Sequence, residues 1–267
     1  MSMTSEKAMN VPKRQHWVPR FYLRYFAIPG TEDKHDPQVW IFHRKEGDPA
    51  KVGISKIAAK KFLYSPASRN GKRDHTMESK LSELETLLAE LWPDLAGGFV
   101  DLGAQPTRKA VSLFLATLLL RHPASRQQME AAYRRLAYHI DSAPKDSQGV
   151  PVIQAIISGK QELPFDVRLW NSLRSMTSTD YHQEFVASIR AHAIELAERL
   201  MEKRWSMIFI DEPVWITSDN PFFVLDTEHD KRSVSIPAVK LVFPVSPTRI
   251  LWMDDMDEPP NQYYPIR

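Results

Sequence analysis

The sequence predicts an α+β protein, with a mainly antiparallel sheet built from N- and C-terminal segments and packed on a helical middle region. Three observations carry this. Short apolar runs of strand character crowd both ends of the chain, helical periodicity fills residues 76–204, and Pro and Asn-Pro turns separate the C-terminal runs.

Residues 1–13 hold no apolar stretch long enough for a signal peptide and read as a mobile arm ahead of a single domain over 14–267. Val18 precedes a proline and is therefore biased towards extended backbone. Pro19 suits the first position of a helix, so a short helix is expected over Pro19–Ala27. QVWIFHRK (38–45), KVGIS (51–55) and KFLYS (61–65) read as extended pieces.

In the middle zone, Met77, Leu81, Leu84, Leu88 and Leu91 recur at helical spacing behind Thr76, and Pro93 is expected to stop the run. Further helices are expected from Thr107 to Arg121 and from Ser125 onward. Residues 141–165, rich in Pro, Gly and Ser, read as a loop. A long helix from Asp180, its expected cap, to Arg204 carries Phe185, Ile189, Ala193, Leu196 and Leu200 on one stripe. Strands are then expected at 205–210, 214–217, 233–237, 240–245 and 249–253.

Composition narrows the functional classes. A chain of 267 residues that is 43% hydrophobic can bury a full core unaided. Without cysteine there are no disulfides, thiolate zinc sites or cysteine nucleophiles, and the cytoplasm is the expected compartment. The most apolar run, Ala110–Leu120, is about half the length a bilayer needs, so no membrane association is expected. Net charge is +2, yet residues 1–80 hold 16 Lys/Arg against 8 Asp/Glu while residues 205–267 hold 5 against 10. Either the two ends pack together, or the basic end faces an anionic ligand.

Two constellations carry chemistry. In RQHWVPRFYLRYF, His16 precedes a helix N-terminus, and Arg20 and Arg24 share one face of a helix apolar on most sides. Such a pair calls for carboxylates or for a ligand anion. In WITSDNPFF, Ser218, Asp219, Asn220 and Pro221 form a polar turn at a strand end, where sites are commonly built, although Asp and Asn also serve their own backbone there. No S-x-x-K or K-T-G accompanies this S-D-N. Arg121 in LLLRHP suits a helix C-terminus through the dipole, or reaches Asp219 or an anion, and Glu85 sits on the flank of its leucine stripe. Arg134-x4-His139 matches a spacing found in some helical RNases, but 19 Arg and 9 His produce such spacings by chance.

QHWVPRFYLRYFA, VWIF, SELE, LLLRHP, WITSDNPF and LVFPVSP, in this order, resemble the bacterial family catalogued as domain of unknown function 4238. The resemblance implies functional weight for Gln15, His16, Pro19, Arg20, Phe21, Glu85, Arg121 and the Ser218–Pro221 turn. Trp17 stands where that family usually has Tyr, and Tyr25 where it usually has Asn.

Three expectations stand. The first is a hydrolase acting on a phosphodiester or nucleotide-like anion. In it His16 transfers a proton, and Asp219 orients His16 or binds a divalent metal. Gln15, Arg20, Arg24, Arg121, Ser218 and Asn220 hold the substrate, with Glu85 as a further candidate. The second is a recognition module for a nucleotide, a nucleic acid or a protein carboxylate. The third is a structural polar network that fastens the N-terminal helix to the sheet.

Overall fold

The structure, a computed structural model, describes residues 12–44, 47–68, 70–151, 156–157, 161–162, 166–225, 240–256 and 262–266. The N-terminal zone holds β1 (Arg14–His16), the one-turn α1 (Arg20–Arg24), β2 (Gln38–Ile41), β3 (Ala50–Gly53) and β4 (Ala59–Lys61). β1 pairs antiparallel with β4 and β2 with β3, so these strands form two separate ribbons. Ala58 and Phe62, on either side of β4, adopt left-handed backbone (φ 47° and 53°), a strained choice for side chains with a Cβ.

The middle zone is helical: α2 (Thr76–Ala96), α3 (Gln105–Arg121), α4 (Pro123–Asp141), α5 (Val167–Ser175) and α6 (Ser178–Glu202), with the two-residue strands β5 (Ile156–Ile157) and β6 (Gln161–Glu162) between α4 and α5. α3 is the central helix. Val111, Ser112, Phe114, Leu115, Ala116, Thr117 and Leu118 are all buried, so it has no solvent stripe and is apolar nearly all round.

At the C-terminal end, β7 (Arg204–Phe209), β8 (Phe223–Leu225), β9 (Lys240–Ser246), β10 (Arg249–Asp254) and β11 (Gln262–Pro265) form a five-stranded sheet in the order β11-β7-β10-β9-β8. Every pairing in it is antiparallel except β11 with β7. The architecture is α+β.

The core centres on Trp92 of α2. Its ring meets Phe21 at 5.3 Å, Tyr22 at 5.8 Å, Phe114 at 5.3 Å and Phe243 at 6.0 Å, all edge-on. α1, α2, α3 and β9 thus share one aromatic cluster, which is why α1 is apolar. Arg249 reaches from β10 to the carbonyls of Leu95, Gly97 and Gly98 and so satisfies the open end of α2.

Several element ends differ from expectation. Pro93 lies inside α2, one turn before its end, because a proline there forfeits one backbone bond while Trp92, Leu95 and Ala96 stay buried. The start of α2 is held by Asp74, whose carboxylate accepts from the Thr76 amide at 2.9 Å. α4 starts at Pro123, with the His122 ring as its cap. α6 is capped by Thr177, and Asp180 supplies the reciprocal bond of a capping box. α5 and β11 add elements that periodicity did not announce.

Residues 214–217 form no strand. Instead the Val214 and Trp215 amides both donate to the Pro247 carbonyl, at 2.9 and 2.8 Å. The strand expected at 233–237 lies outside the described residues. Among the described residues, no helix is long and apolar enough to cross a membrane.

Candidate functional site

β1 positions the first motif. Consecutive residues of a strand face opposite sides, and Gln15, His16 and Trp17 have different surroundings accordingly. Gln15 is fully buried; its Oε1 accepts from the Tyr64 amide at 2.7 Å, which fixes the amide so that Nε2 donates to Ser65 Oγ at 2.6 Å. His16 turns the other way, towards Ile54 and Ser55. Burial lowers the pKa of its ring, the Arg20 and Arg14 charges lower it further, and the backbone of Ser55 and Ile54 opposes them, so the ring is neutral near pH 7. Its Nε2 is buried without a partner.

Among the described residues, no ion pair joins Arg20 or Arg24 to a C-terminal acid. Arg20 donates to the His35 carbonyl at 3.3 Å and Arg24 to the Glu32 carbonyl at 2.6 Å, so both hold the loop that follows α1. Arg20 also acts electrostatically on Asp36, which accepts from the Ser55 amide and hydroxyl at 2.9 and 2.8 Å. Arg20 Nε remains buried and unpartnered.

On the opposite side lies a second group around Trp17. Arg121, at the buried end of α3, donates from Nε to the Trp17 carbonyl at 3.0 Å and from Nη1 to Glu85 Oε1 at 2.7 Å. Glu85, which the leucine stripe leaves on its flank, therefore points inward. Tyr64 donates to the Arg121 carbonyl at 3.0 Å. Two turns before Glu85, Glu78 is 9% exposed; burial raises its carboxyl to about 7, Glu85 adds to the rise and Arg121 opposes it. The sequence signal for Glu78 was its seven-residue spacing from Glu85, which puts both on one face of α2.

The Trp17 indole donates to the Asp219 carbonyl at 3.0 Å, and its ring meets the His122 ring edge-on at 5.8 Å. The S-D-N-P turn is thereby brought against the first motif, some two hundred residues away in sequence. The Asp219 carboxylate, however, acts on His122. Burial lowers the pKa of the His122 ring and Asp219 raises it, whereas the charges acting on His16 are Arg20 and Arg14. The imidazole on which the Asp219 charge acts is therefore His122, while His16 lies against Ile54 and Ser55 on the other face of the ribbon.

His122 Nδ1 accepts from the Ala124 amide at 3.1 Å, so the proton of the neutral ring sits on Nε2, which is buried without an acceptor. Arg121 Nη2 and Trp215 Nε1 are likewise buried and unpartnered. Ser218 and Asn220 bond within the turn, where Ser218 Oγ donates to the Asn220 carbonyl at 2.8 Å and accepts from the Asn220 amide at 3.1 Å. Tyr22 ties the neighbouring segment to the core, bonding Thr217 Oγ1 at 2.6 Å and the Pro244 carbonyl at 2.8 Å.

Arg134 and His139 lie on the outer face of α4, where Arg134 pairs with Glu130 one turn away. Among the described residues, no group of three or more His, Asp or Glu is gathered to hold a metal ion.

The model of a family described as Protein of unknown function (DUF4238) matches residues 14–266, nearly the whole chain. No curated protein and no solved structure matches it.

Proposed function

The chain belongs to the DUF4238 family, and we propose that it is an anion-recognition protein whose motif residues bind the oxygens of a phosphate-bearing ligand. One observation carries this reading: Arg121 and His122, neighbours beside Trp17, each keep a buried N–H without a partner. Buried polar groups are nearly always satisfied, and leaving one unpaired costs about 1–3 kcal/mol. Two such donors side by side therefore call for a ligand rich in acceptors, and guanidinium and imidazole N–H groups suit phosphate oxygens.

The tautomer of His122 supports recognition over base catalysis. With Nδ1 occupied by the Ala124 amide, Nε2–H is a donor and cannot take up a proton. The Arg121 guanidinium is held by Trp17 and Glu85, so its remaining N–H is oriented before any ligand arrives.

A second reading, hydrolysis of a phosphodiester, is favoured by the action of Asp219 on His122. Burial lowers the pKa of the ring and Asp219 opposes it, so this reading needs a bound anion to draw the ring into its protonated form, from which it can deliver a proton to a leaving oxygen.

Calorimetric titration with phosphate, pyrophosphate and mononucleotides, followed by ³¹P NMR of the same samples, separates the two. Recognition predicts ligand-dependent stabilisation without product, and H122A and R121K weaken binding by about ten-fold or more. Product formed by the wild type and lost in H122A establishes hydrolysis instead. The proposal fails if none of these anions binds, or if both variants bind them as the wild type does.

A further inference from the structure

Away from the motif residues, a cavity of about 570 Å³ lies between the loop preceding α2 and one side of α6. Lys72, Arg73, Lys80 and Arg190 line it, together with His75, and Asp74 is the one carboxylate among its lining residues. We infer that this cavity is a binding site for the phosphate group of a nucleotide-sized ligand, separate from the motif donors and independent of the reading given for them.

The charge balance comes first. Four cations converge on one hollow, and among the described residues no salt bridge joins any of them to a carboxylate. Asp74 is committed elsewhere. Its hydrogen bonds with Thr76 at the start of α2 hold its carboxyl below the usual range, and Arg190 reinforces them. The positive potential is left for an outside anion, and the dipole of the 21-residue α2, whose first residues Thr76 and Met77 line the cavity, adds to it.

The loop is built to hold its shape. Ala67 and Arg73 form an isolated antiparallel bridge, closed through Gly71 at φ 82°, a left-handed turn position that favours glycine. Gln183 of α6 donates to the Ala67 carbonyl at 2.9 Å, and the His182 ring bonds the Leu63 carbonyl at 2.8 Å. Arg73 donates to the Ser65 carbonyl at 2.8 Å while its guanidinium lies 3.8 Å from the Phe62 ring centroid, the ring of a left-handed residue. A cation so held loses little freedom when it meets a ligand.

One hydrogen-bond chain also reaches the cavity from β1. Gln15 donates to Ser65 Oγ, and Ser65 Oγ lies 2.8 Å from His75 Nδ1. With Gln15 as donor, the acceptor offered to the Ser65 hydroxyl proton is His75 Nδ1, which leaves the ring proton on Nε2 as a further donor. Gln15 thus has a role that its burial alone does not explain.

Size and lining complete the ligand. A volume near 570 Å³ is within the range of small-molecule sites, larger than a bare phosphate needs. Met77, Val186 and Ala187 supply an apolar wall beside the cations, which suits the flat, weakly polar face of a nucleobase.

The test uses the full chain with ¹³C-methyl methionine. Met77 lines the cavity, and its resonance, assigned with M77L, reports on this site, with K80E separating it from effects that reach Met77 through Trp17. AMP and inorganic phosphate should shift it saturably at low ionic strength, AMP with the lower midpoint, and adenosine should leave it in place. R190E and K80E should each raise the AMP midpoint by about ten-fold or more, and added salt should raise it in the wild type. Lys80 is exposed, so K80E keeps the fold if R190E does not. The inference is overturned if AMP leaves the Met77 resonance unmoved, if adenosine moves it as AMP does, or if K80E titrates as the wild type. A motif site that fails its own titration leaves these outcomes unaffected.

Discussion

Replacing Glu78 with Gln tests the electrostatics of the α2–α3 contact. In the folded chain Glu78 is surrounded by Glu85, Arg121 and Tyr64, and burial, with Glu85 in support, raises its carboxyl from the ordinary 4.5 to about 7. Between those two values the folded protein keeps a proton that the unfolded chain has released, so this carboxyl makes stability fall as pH rises. The loss is complete above pH 7. A rise of that size corresponds to at most about 3 kcal/mol, and residual solvent screening brings it to about 1–2 kcal/mol.

E78Q removes the titration while keeping a polar side chain of the same shape. It should match the wild type near pH 4.5 and exceed it by about 1–2 kcal/mol at pH 8, which for a chain of this length is a Tm increase of about 3–6 °C. Half-buried His16, His122 and His182, whose pKa values are lowered, act with the opposite sign, since their protonation disfavours the fold as pH falls. The difference between wild type and E78Q, measured by urea unfolding at pH 5, 6, 7 and 8, therefore isolates the carboxyl. Parallel pH profiles, or a variant less stable at pH 8, would refute the reasoning.

Arg121 carries the largest single cost: R121M leaves the half-buried Glu85 and the Trp17 carbonyl without their partner and should destabilise by about 2–3 kcal/mol in urea titrations, with R121M/E85Q recovering part of the loss. Y22F removes the phenol that bonds Thr217 and the Pro244 carbonyl and should cost about 1–2 kcal/mol, more than T217V. W17F loses the indole bond to the Asp219 carbonyl, and hydrogen exchange should then quicken in the 215–220 segment ahead of the rest of the chain. On the acid side, burial alone would raise the Asp254 carboxyl. Its bonds from Arg204, the Met256 amide and Trp252 outweigh burial and hold it low. The stability it contributes is present above the ordinary carboxylate range and lost as pH falls through its lowered value, so D254N should flatten the acid limb of the stability profile.

The leucine spacing of α2, the stripe of α6 and the short apolar runs at 205–210, 240–245 and 249–253 were readable because each depends on neighbours within two helical turns or one strand. The segment 214–217 read as a strand on the same grounds. Its amides turn instead to Pro247, a partner more than thirty residues away that local composition does not name.

The site divides in the same way. Gln15, Arg121, Glu85 and the Ser218–Asn220 turn were marked as a group, and the structure gives Gln15 a buried hydrogen bond, Arg121 and Glu85 a part-buried one and the turn its own local ones. The opposed facing of His16 and Trp17 was available from strand alternation once β1 was known, whereas the elements waiting on each face were not.

By itself the sequence determined the α+β class, the helical middle and the family, since periodicity and motif spacing are written along the chain. Tertiary structure decided that the Asp219 charge acts on His122, that Arg121 is locked by Glu85, and that cations from the 72–80 region and α6 share one cavity. Those outcomes depend on the directions in which side chains leave their backbones and on distances across the core. An imidazole or a guanidinium has the same composition whichever face it leaves, so its partners are fixed only when the elements pack.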